Sequence, residues 1–143
     1  MSSRTGCHTY TVCVNKNLVR GDQEVVPTRI PITRLDSYVE RRGLKTVSLV
    51  KIDAEFHEAE VLKGMEAMIS EFKPVLLIEI LTDASRTRLQ AMLDGRGYVY
   101  YGIDERGAPR LLDGLTDVGG RNYLICLPSI ARQLGLASDS EAS

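Results

Sequence analysis

The segment KIDAEFHEAEVLKG, residues 51–64, gathers Asp53, Glu55, His57, Glu58 and Glu60 in a chain with only two histidines. A carboxylate or imidazole beside a substrate hydroxyl can take its proton as a general base. Asp with Glu or His can hold a hard cation, and a group of carboxylates can anchor a cationic ligand. The residue types leave these three uses open. HEAEV at 57–61 is not the HExxH of zinc proteases, because Val61 stands where the second histidine belongs. The same acids also suit the first turn of a helix, where each is worth about 0.3–1 kcal/mol against the helix dipole. Glu58 falls three and four positions before Val61 and Leu62 and so begins an inward-facing stripe, where a carboxylate needs a partner. Glu79, inside the apolar run LLIEI, needs either a partner or a place at a site edge. The other histidine, His8, lies in an unpatterned stretch and reads as exposed.

The pattern around these residues shows what must position them. TVSLVKID, 46–53, reads as a strand buried on both faces. The period then changes: Val61, Leu62, Met65, Met68, Ile69 and Phe72 recur at helical spacing, which predicts one amphipathic helix over about 56–72, stopped by Pro74. PVLLIEI, 74–80, is a second buried strand. TDAS leads from it into a helix with Leu89, Met92 and Leu93 inward and Gly95 or Gly97 as terminator. YVYYGID is a third strand, DERG at 104–107 a turn, and LLDG and NYLICLP (122–128) form the antiparallel return. Upstream, TYTVCV at 9–14 reads as a strand and NKNLVRGDQE as a loop. After Pro31 comes a short helix with Thr33 as cap, Asp36 at its third position, a stripe of Leu35, Tyr38 and Val39, and Gly43 as stop. Strand alternating with helix predicts an α/β layer of parallel strands. Ligands then bind beyond the carboxyl ends of the strands, where Asp53, Glu55 and His57 fall.

Composition sets the outer bounds. At 143 residues the expectation is one domain over 1–130, with a loose polar tail over 131–143. Eighteen basic and nineteen acidic residues leave a net charge of −1, so nothing favours nucleic acid or an anionic membrane as partner. No apolar run approaches the roughly 20 residues of a membrane span, and MSSRTGCHTY has no signal-peptide core, so the expectation is a soluble cytoplasmic protein. Cys7, Cys13 and Cys126 form no CxxC pair and read as reduced, mostly buried thiols.

PITRLDSYVE (31–40), VKIDAEFHEAEVLKG (50–64) and KPVLLIEI (73–80) together resemble the C-terminal half of the FkbM family of S-adenosylmethionine-dependent methyltransferases. Ile52, Asp53, Glu55, Glu58, Val61, Leu62 and Gly64 match the family pattern I-D-x-E-G-x-E-x-x-V-L-x-G, while Phe56 stands at its glycine. The resemblance spans roughly residues 27–128 and implies a Rossmann-like methyltransferase sheet. That sheet would be truncated, with parallel strands and a C-terminal antiparallel hairpin, because no glycine-rich strand-to-helix turn precedes residue 31. It implies S-adenosyl-L-methionine as cofactor and a small-molecule acceptor, a hydroxyl on a sugar or natural product, with no metal assigned. On this reading Asp53 lies at the cofactor and acceptor edge, His57 is the candidate base, and Glu55 and Glu58 orient groups in the same catalytic set. Two alternatives stand beside it. One is a non-catalytic binding or assembly module, a homo-oligomer or one completed by a chain that supplies the missing strands. The other is a metal-dependent hydrolase, disfavoured by the scarcity of histidine.

Overall fold

Apolar runs bounded by turn residues build the strands of this protein, for which a computed structural model describes residues 9–11, 29–104 and 107–136. β1 (Thr9–Thr11) and β2 (Arg29–Pro31) form a separate antiparallel pair, Thr9 opposite Pro31. α1 (Leu35–Arg42) follows. The main sheet begins with β3 (Leu49–Ile52), which leads through α2 (Glu58–Lys63) and α3 (Glu66–Phe72) to β4 (Val75–Glu79). α4 (Asp83–Leu93) connects to β5 (Val99–Ile103). Then come β6 (Arg110–Leu112), β7 (Asn122–Cys126) and α5 (Pro128–Gln133). The main sheet has the order β3-β4-β7-β5-β6. Among the described residues no helix is long and apolar enough to cross a membrane.

The α/β class holds, but the expected parallel sheet is mixed. Only β3 and β4 are parallel neighbours; β7 runs antiparallel between β4 and β5. β6 and β7 flank β5, both antiparallel to it, and residues 113–121 carry the chain past the end of β5 from one to the other. The expected return of the chain after DERG is present as β6 paired with β5 and then β7.

One face of the sheet, through Ile52, Leu76, Ile78, Tyr100, Tyr123 and Ile125, packs on Leu62, Met65, Met68 and Ile69 of the α2–α3 region and on Leu89 and Leu93 of α4. A large apolar side chain buried in this way contributes about 1.5–3 kcal/mol. The opposite face is covered at β5 and β7, where Tyr101, Leu124 and the free thiol of Cys126 meet Ala131 of α5. Burial pushes the Cys126 thiol above its usual range. Residues 131–133, expected in the tail, therefore belong to a packed helix. β3 departs further from expectation: Leu49 is 54% exposed, Lys51 is exposed, and only Ile52 is buried. It is an edge strand, with no strand beyond it among the described residues, and Leu49 and Lys51 lie on the α5 face of the sheet but beyond the strands that meet α5.

The single helix expected over 56–72 is two, broken at Gly64 and Met65. Met65 leaves helical geometry at φ −134°, and the carboxylate of Asp36 caps the new helix, accepting from the Met68 N–H at 2.9 Å and the Ala67 N–H at 3.3 Å. The Gly64 carbonyl in turn accepts the Asp36 N–H at 2.9 Å. A Cβ on Gly64 would lie 3.2 Å from the Val61 oxygen and 3.7 Å from the Arg34 Cα, so the residue's small size lets the α1 entrance close on the break. Asp36 thus serves α3 rather than its own helix. Thr33 does not cap α1 either: its N-cap is Arg34, without a side-chain bond, and the Thr33 hydroxyl accepts from Arg41 at 3.2 Å. Leu35 and Val39 pack on the core, whereas Tyr38 faces outward under the Arg42 guanidinium. Gly43 ends α1 at φ 61°, and Thr82 caps α4 through the Ser85 N–H.

The expectations for residues 12–28, including Cys13 and the loop there, and those for Cys7, His8 and residues 137–143, lie outside the described residues.

Removing the inter-helix cap is expected to cost about 1 kcal/mol. Asp36→Ala should lower the urea midpoint without changing the slope of the transition, and Asp36→Asn should recover most of the loss.

Candidate functional site

β3 and β4 pair with Ile52 opposite Ile78, so the next residues, Asp53 and Glu79, stand side by side where the two strands end. The row continues across the sheet, because Glu79 faces Asn122 of β7 and Asn122 faces Ile103 of β5. Two residues before Asp53, and therefore on the same face, Lys51 donates to the Asp53 Oδ2 at 3.1 Å.

Asp53 and Glu79 share a hydrogen bond, and their environments drive them apart. Lys51 holds Asp53 below the usual carboxylate range, through its hydrogen bond first, with the hydrogen bond to Glu79 and the Lys51 charge acting in the same direction. Glu79 is pushed up by burial, by its hydrogen bond to Asp53 and by the charges of Asp53 and Glu55, against a smaller pull from Arg121. Two carboxyl groups in contact resist double ionisation, and the surroundings favour charge on Asp53 over Glu79. A carboxylate placed in this way can accept a proton, take a hydroxyl hydrogen bond or attract a cation.

The turn that follows is strained. Glu55 has φ 46° and Phe56 φ 80°, left-handed backbone that favours glycine. It is held from within: the His57 N–H bonds the Ala54 oxygen at 3.1 Å, and the Phe56 N–H bonds the Glu58 Oε1 at 3.0 Å. Glu58 is only 1% exposed. Its carboxylate thus ties the turn to the first residue of α2.

The four residues singled out in the sequence therefore separate. Asp53 and Glu55 belong to the group that sets the charge of Glu79, and Glu58 lies beneath as a brace. His57, exposed at the start of α2, does not figure among the groups acting on Asp53 or Glu79. Its charge acts on Glu60, which burial pushes up but which the Arg88 hydrogen bond, at 2.9 Å, carries below its usual range. Glu79, for which the sequence required either a partner or a place at a site edge, has Asp53 as its partner at the end of β4. Lys51 was missed, although its i, i+2 spacing from Asp53 in a strand was the available signal. Arg86 was also missed: this buried guanidinium on α4 bonds Asp83 and lies 3.6 Å from Asp117, and its only sequence signal is Asp83 three residues earlier. Among the described residues no three His, Cys, Asp or Glu side chains stand where they could hold a metal ion together.

Residues 3–100 match the family model described as the methyltransferase FkbM domain, and that stretch is more than half of the chain. The chain belongs to the FkbM methyltransferase family. The match reaches from before β1 to Tyr100 within β5, so the carboxyl pair lies inside the FkbM region, while β6, β7 and α5 lie beyond it. No curated protein and no solved structure matches the chain significantly. FkbM membership makes the protein a methyltransferase in general terms, and a methyltransferase requires a methyl donor. Phe56 adopts the left-handed backbone at the position where the FkbM pattern noted above has glycine, so the turn keeps the conformation that glycine would favour.

Two outcomes test this geometry. In a carboxyl NMR titration, Asp53 should protonate below and Glu79 above their ordinary ranges, and Lys51→Met should move Asp53 upward. Asp53's folded pKa is depressed, so its stabilisation is present above its unfolded pKa and is lost as pH falls through the folded value. Glu79 behaves oppositely: its contribution is full below its unfolded pKa and is lost as pH rises through the folded one. The deficit of Lys51→Met should therefore appear at neutral pH and vanish in strong acid. Phe56→Gly should raise stability by about 1 kcal/mol, since a strained φ costs about 1–3 kcal/mol and glycine's added unfolded-state freedom returns about 0.5–1. Equilibrium urea unfolding measures it.

Proposed function

We propose that the protein is the acceptor-side part of an S-adenosylmethionine-dependent O-methyltransferase, and that Asp53 is the base that receives the acceptor hydroxyl's proton. The observation that carries this reading is the Asp53–Glu79 pair, side by side at the ends of adjacent parallel strands in an FkbM chain and driven in opposite directions by its surroundings. In open α/β sheets that edge is where loops diverge and ligands bind. On this reading the main sheet is part of a Rossmann-like sheet whose further strands would join at the free edge of β3.

The exposed Asp53 carboxylate fits a group that carries both hydroxyls and a positive charge. When bound, S-adenosylmethionine supplies a methyl group on a cationic sulfur that departs as a neutral thioether. The chain's own residues would do the rest. Asp53 accepts the hydroxyl proton as the oxygen lone pair forms the new carbon–oxygen bond, and the carbon–sulfur electron pair stays with sulfur. Glu79, hydrogen-bonded to Asp53, keeps that carboxylate oriented. Lys51 keeps Asp53 ionised until the acceptor arrives. Glu58 fixes the turn that sets Asp53's direction, and Glu55 adds the negative potential that favours a cation. His57, exposed beside this turn, is a second candidate for proton uptake from a larger acceptor. In-line displacement depends chiefly on alignment, so rigid placement of one base is the main contribution such a site can make.

A second reading has its own observation. The open parallel edge of β3, with Leu49 and Lys51 exposed, suits a non-catalytic assembly module that pairs with a complementing chain or another copy.

Isothermal titration of the full chain with S-adenosylmethionine separates the two. The catalytic reading expects saturable heat with a dissociation constant in the millimolar range or tighter, weakened about tenfold or more in Asp53→Asn, as loss of one charge-assisted hydrogen bond requires. Absence of heat at millimolar concentrations would remove autonomous methyl transfer and leave the assembly module.

A further inference from the structure

The row of polar side chains at the carboxyl edge does not stop at the carboxyl pair. Asn122, the first residue of β7, stands opposite Glu79 and so on the same face as Asp53, two strands away. It is half-buried, and its carboxamide makes no hydrogen bond with a described residue. Its cross-strand neighbour Glu79 is already engaged with Asp53. Arg121, one residue earlier, is exposed, and its backbone is fixed where β4 ends, because the Arg121 oxygen accepts the Ile80 N–H at 2.7 Å. Its guanidinium lies near enough for its charge to act on Glu79, yet it forms no ion pair with a described residue.

The edge is therefore polarised. Asp53 and Glu55 place negative charge at the end of β3, where Lys51 is bound to Asp53, and Arg121 places an unpaired positive charge at the start of β7. Two strand spacings, about 10 Å, separate β3 from β7. Between them the Asn122 carboxamide offers two donors and one acceptor that no neighbour uses.

A simple ion satisfies one end of this arrangement and is repelled by the other. A molecule that carries both charges satisfies the two together. In an amino acid the N–Cα and Cα–C bonds hold the ammonium nitrogen about 3 Å from the carboxylate oxygens, and a hydrogen bond of about 2.9 Å at each end brings the span to about 9 Å. The planar guanidinium of Arg121 suits the carboxylate end, which it can grip with two parallel N–H groups.

We propose that the carboxyl edge binds a hydroxylated zwitterion, an ammonium-bearing carboxylic acid of serine's size, and that Arg121 and Asn122 select it by holding its carboxylate. Its ammonium group lies toward Asp53 and Glu55, and its hydroxyl within reach of Asp53. That this ligand is the methyl acceptor rests on the methyl-transfer reading above; the binding itself does not. Arg121 and Asn122 lie beyond residues 3–100, so FkbM membership does not imply the selection. The amino-acid end of S-adenosylmethionine has the same pair of charges, and the test separates the two sources.

The test is a set of ¹H–¹⁵N NMR titrations of the full chain with L-serine, with ethanolamine, which lacks the carboxylate, and with 3-hydroxypropionate, which lacks the ammonium. Saturable shifts are expected at the Glu79 and Asn122 amides with serine, at about tenfold higher affinity than with either fragment, the effect of one charge-assisted hydrogen bond. Arg121→Ala should bring serine down to the affinity of ethanolamine and leave ethanolamine unchanged, while β5 amides stay in place and report an intact fold. Asn122→Ala should weaken serine in the same sense. No saturable shift, equal affinity for serine and ethanolamine, or an Arg121→Ala effect on both alike would overturn the proposal. Loss of the S-adenosylmethionine heat in Arg121→Ala would overturn it too, by assigning these charges to the donor's own amino-acid end. Serine binding without any heat from S-adenosylmethionine would sink the methyl-transfer reading and leave the zwitterion site; heat without serine binding would sink this proposal alone.

Discussion

In-register parallel pairing of β3 with β4 is the constraint on which the chemistry depends, because it brings Asp53 and Glu79 to the same face at the same height. A slip of one residue would send one of the two carboxyls to the other face. Once adjacent, the pair resists carrying two charges, and the surroundings decide which member ionises. Lys51, on the same face of β3, favours charge on Asp53, while burial and the nearby Asp53 and Glu55 favour the proton on Glu79. One fold position therefore supplies two carboxyl groups whose surroundings drive their pKa values in opposite directions.

What keeps Asp53 in place is mostly the management of helix ends. The strained turn at Glu55 and Phe56 is closed by the Glu58 carboxylate, and α2 is then tied to α4 by the Glu60–Arg88 ion pair. At its far end α2 gives way at Gly64, where the Asp36 carboxylate satisfies the first amides of α3. Asp36, Glu58 and Gly64 are thus parts of one support for a turn that none of them touches as a reacting group.

Elements with a strong period were legible: the apolar runs of β4, β5 and β7, the stripe of α4, and the punctuation of α1 by Gly43 all sit where the residues place them. The break between α2 and α3 was not, because Met65 and Met68 continue the helical stripe across it and the cap comes from a residue about thirty positions earlier. The antiparallel sense of β7 was expected, but its place between β4 and β5 was hidden, because a fully buried strand shows the same apolar run whichever neighbours it has. The position of Asp53 and Glu55 at the carboxyl end of β3 was readable from the acidic turn. The burial of Glu58 and the remoteness of His57 from the pair depend on the left-handed turn, and Phe56 gave no sign that it would adopt a conformation suited to glycine.

The free edge of β3 connects the two functional readings. A long, flat apolar edge would demand a partner, but β3 is four residues long and carries an exposed lysine, two of the devices by which edge strands avoid pairing. The edge is therefore tolerable without a neighbour. Lys51 also has a second duty, since the charge that protects the edge is the one that ionises Asp53. Any strand that covers β3 must leave the Lys51–Asp53 contact intact or replace the lysine's charge with its own. The contact would strengthen as water is excluded, while the loss of hydration would oppose ionisation of both groups. The proposed assembly at this edge and the proposed proton transfer at Asp53 would thus be coupled through one ammonium group.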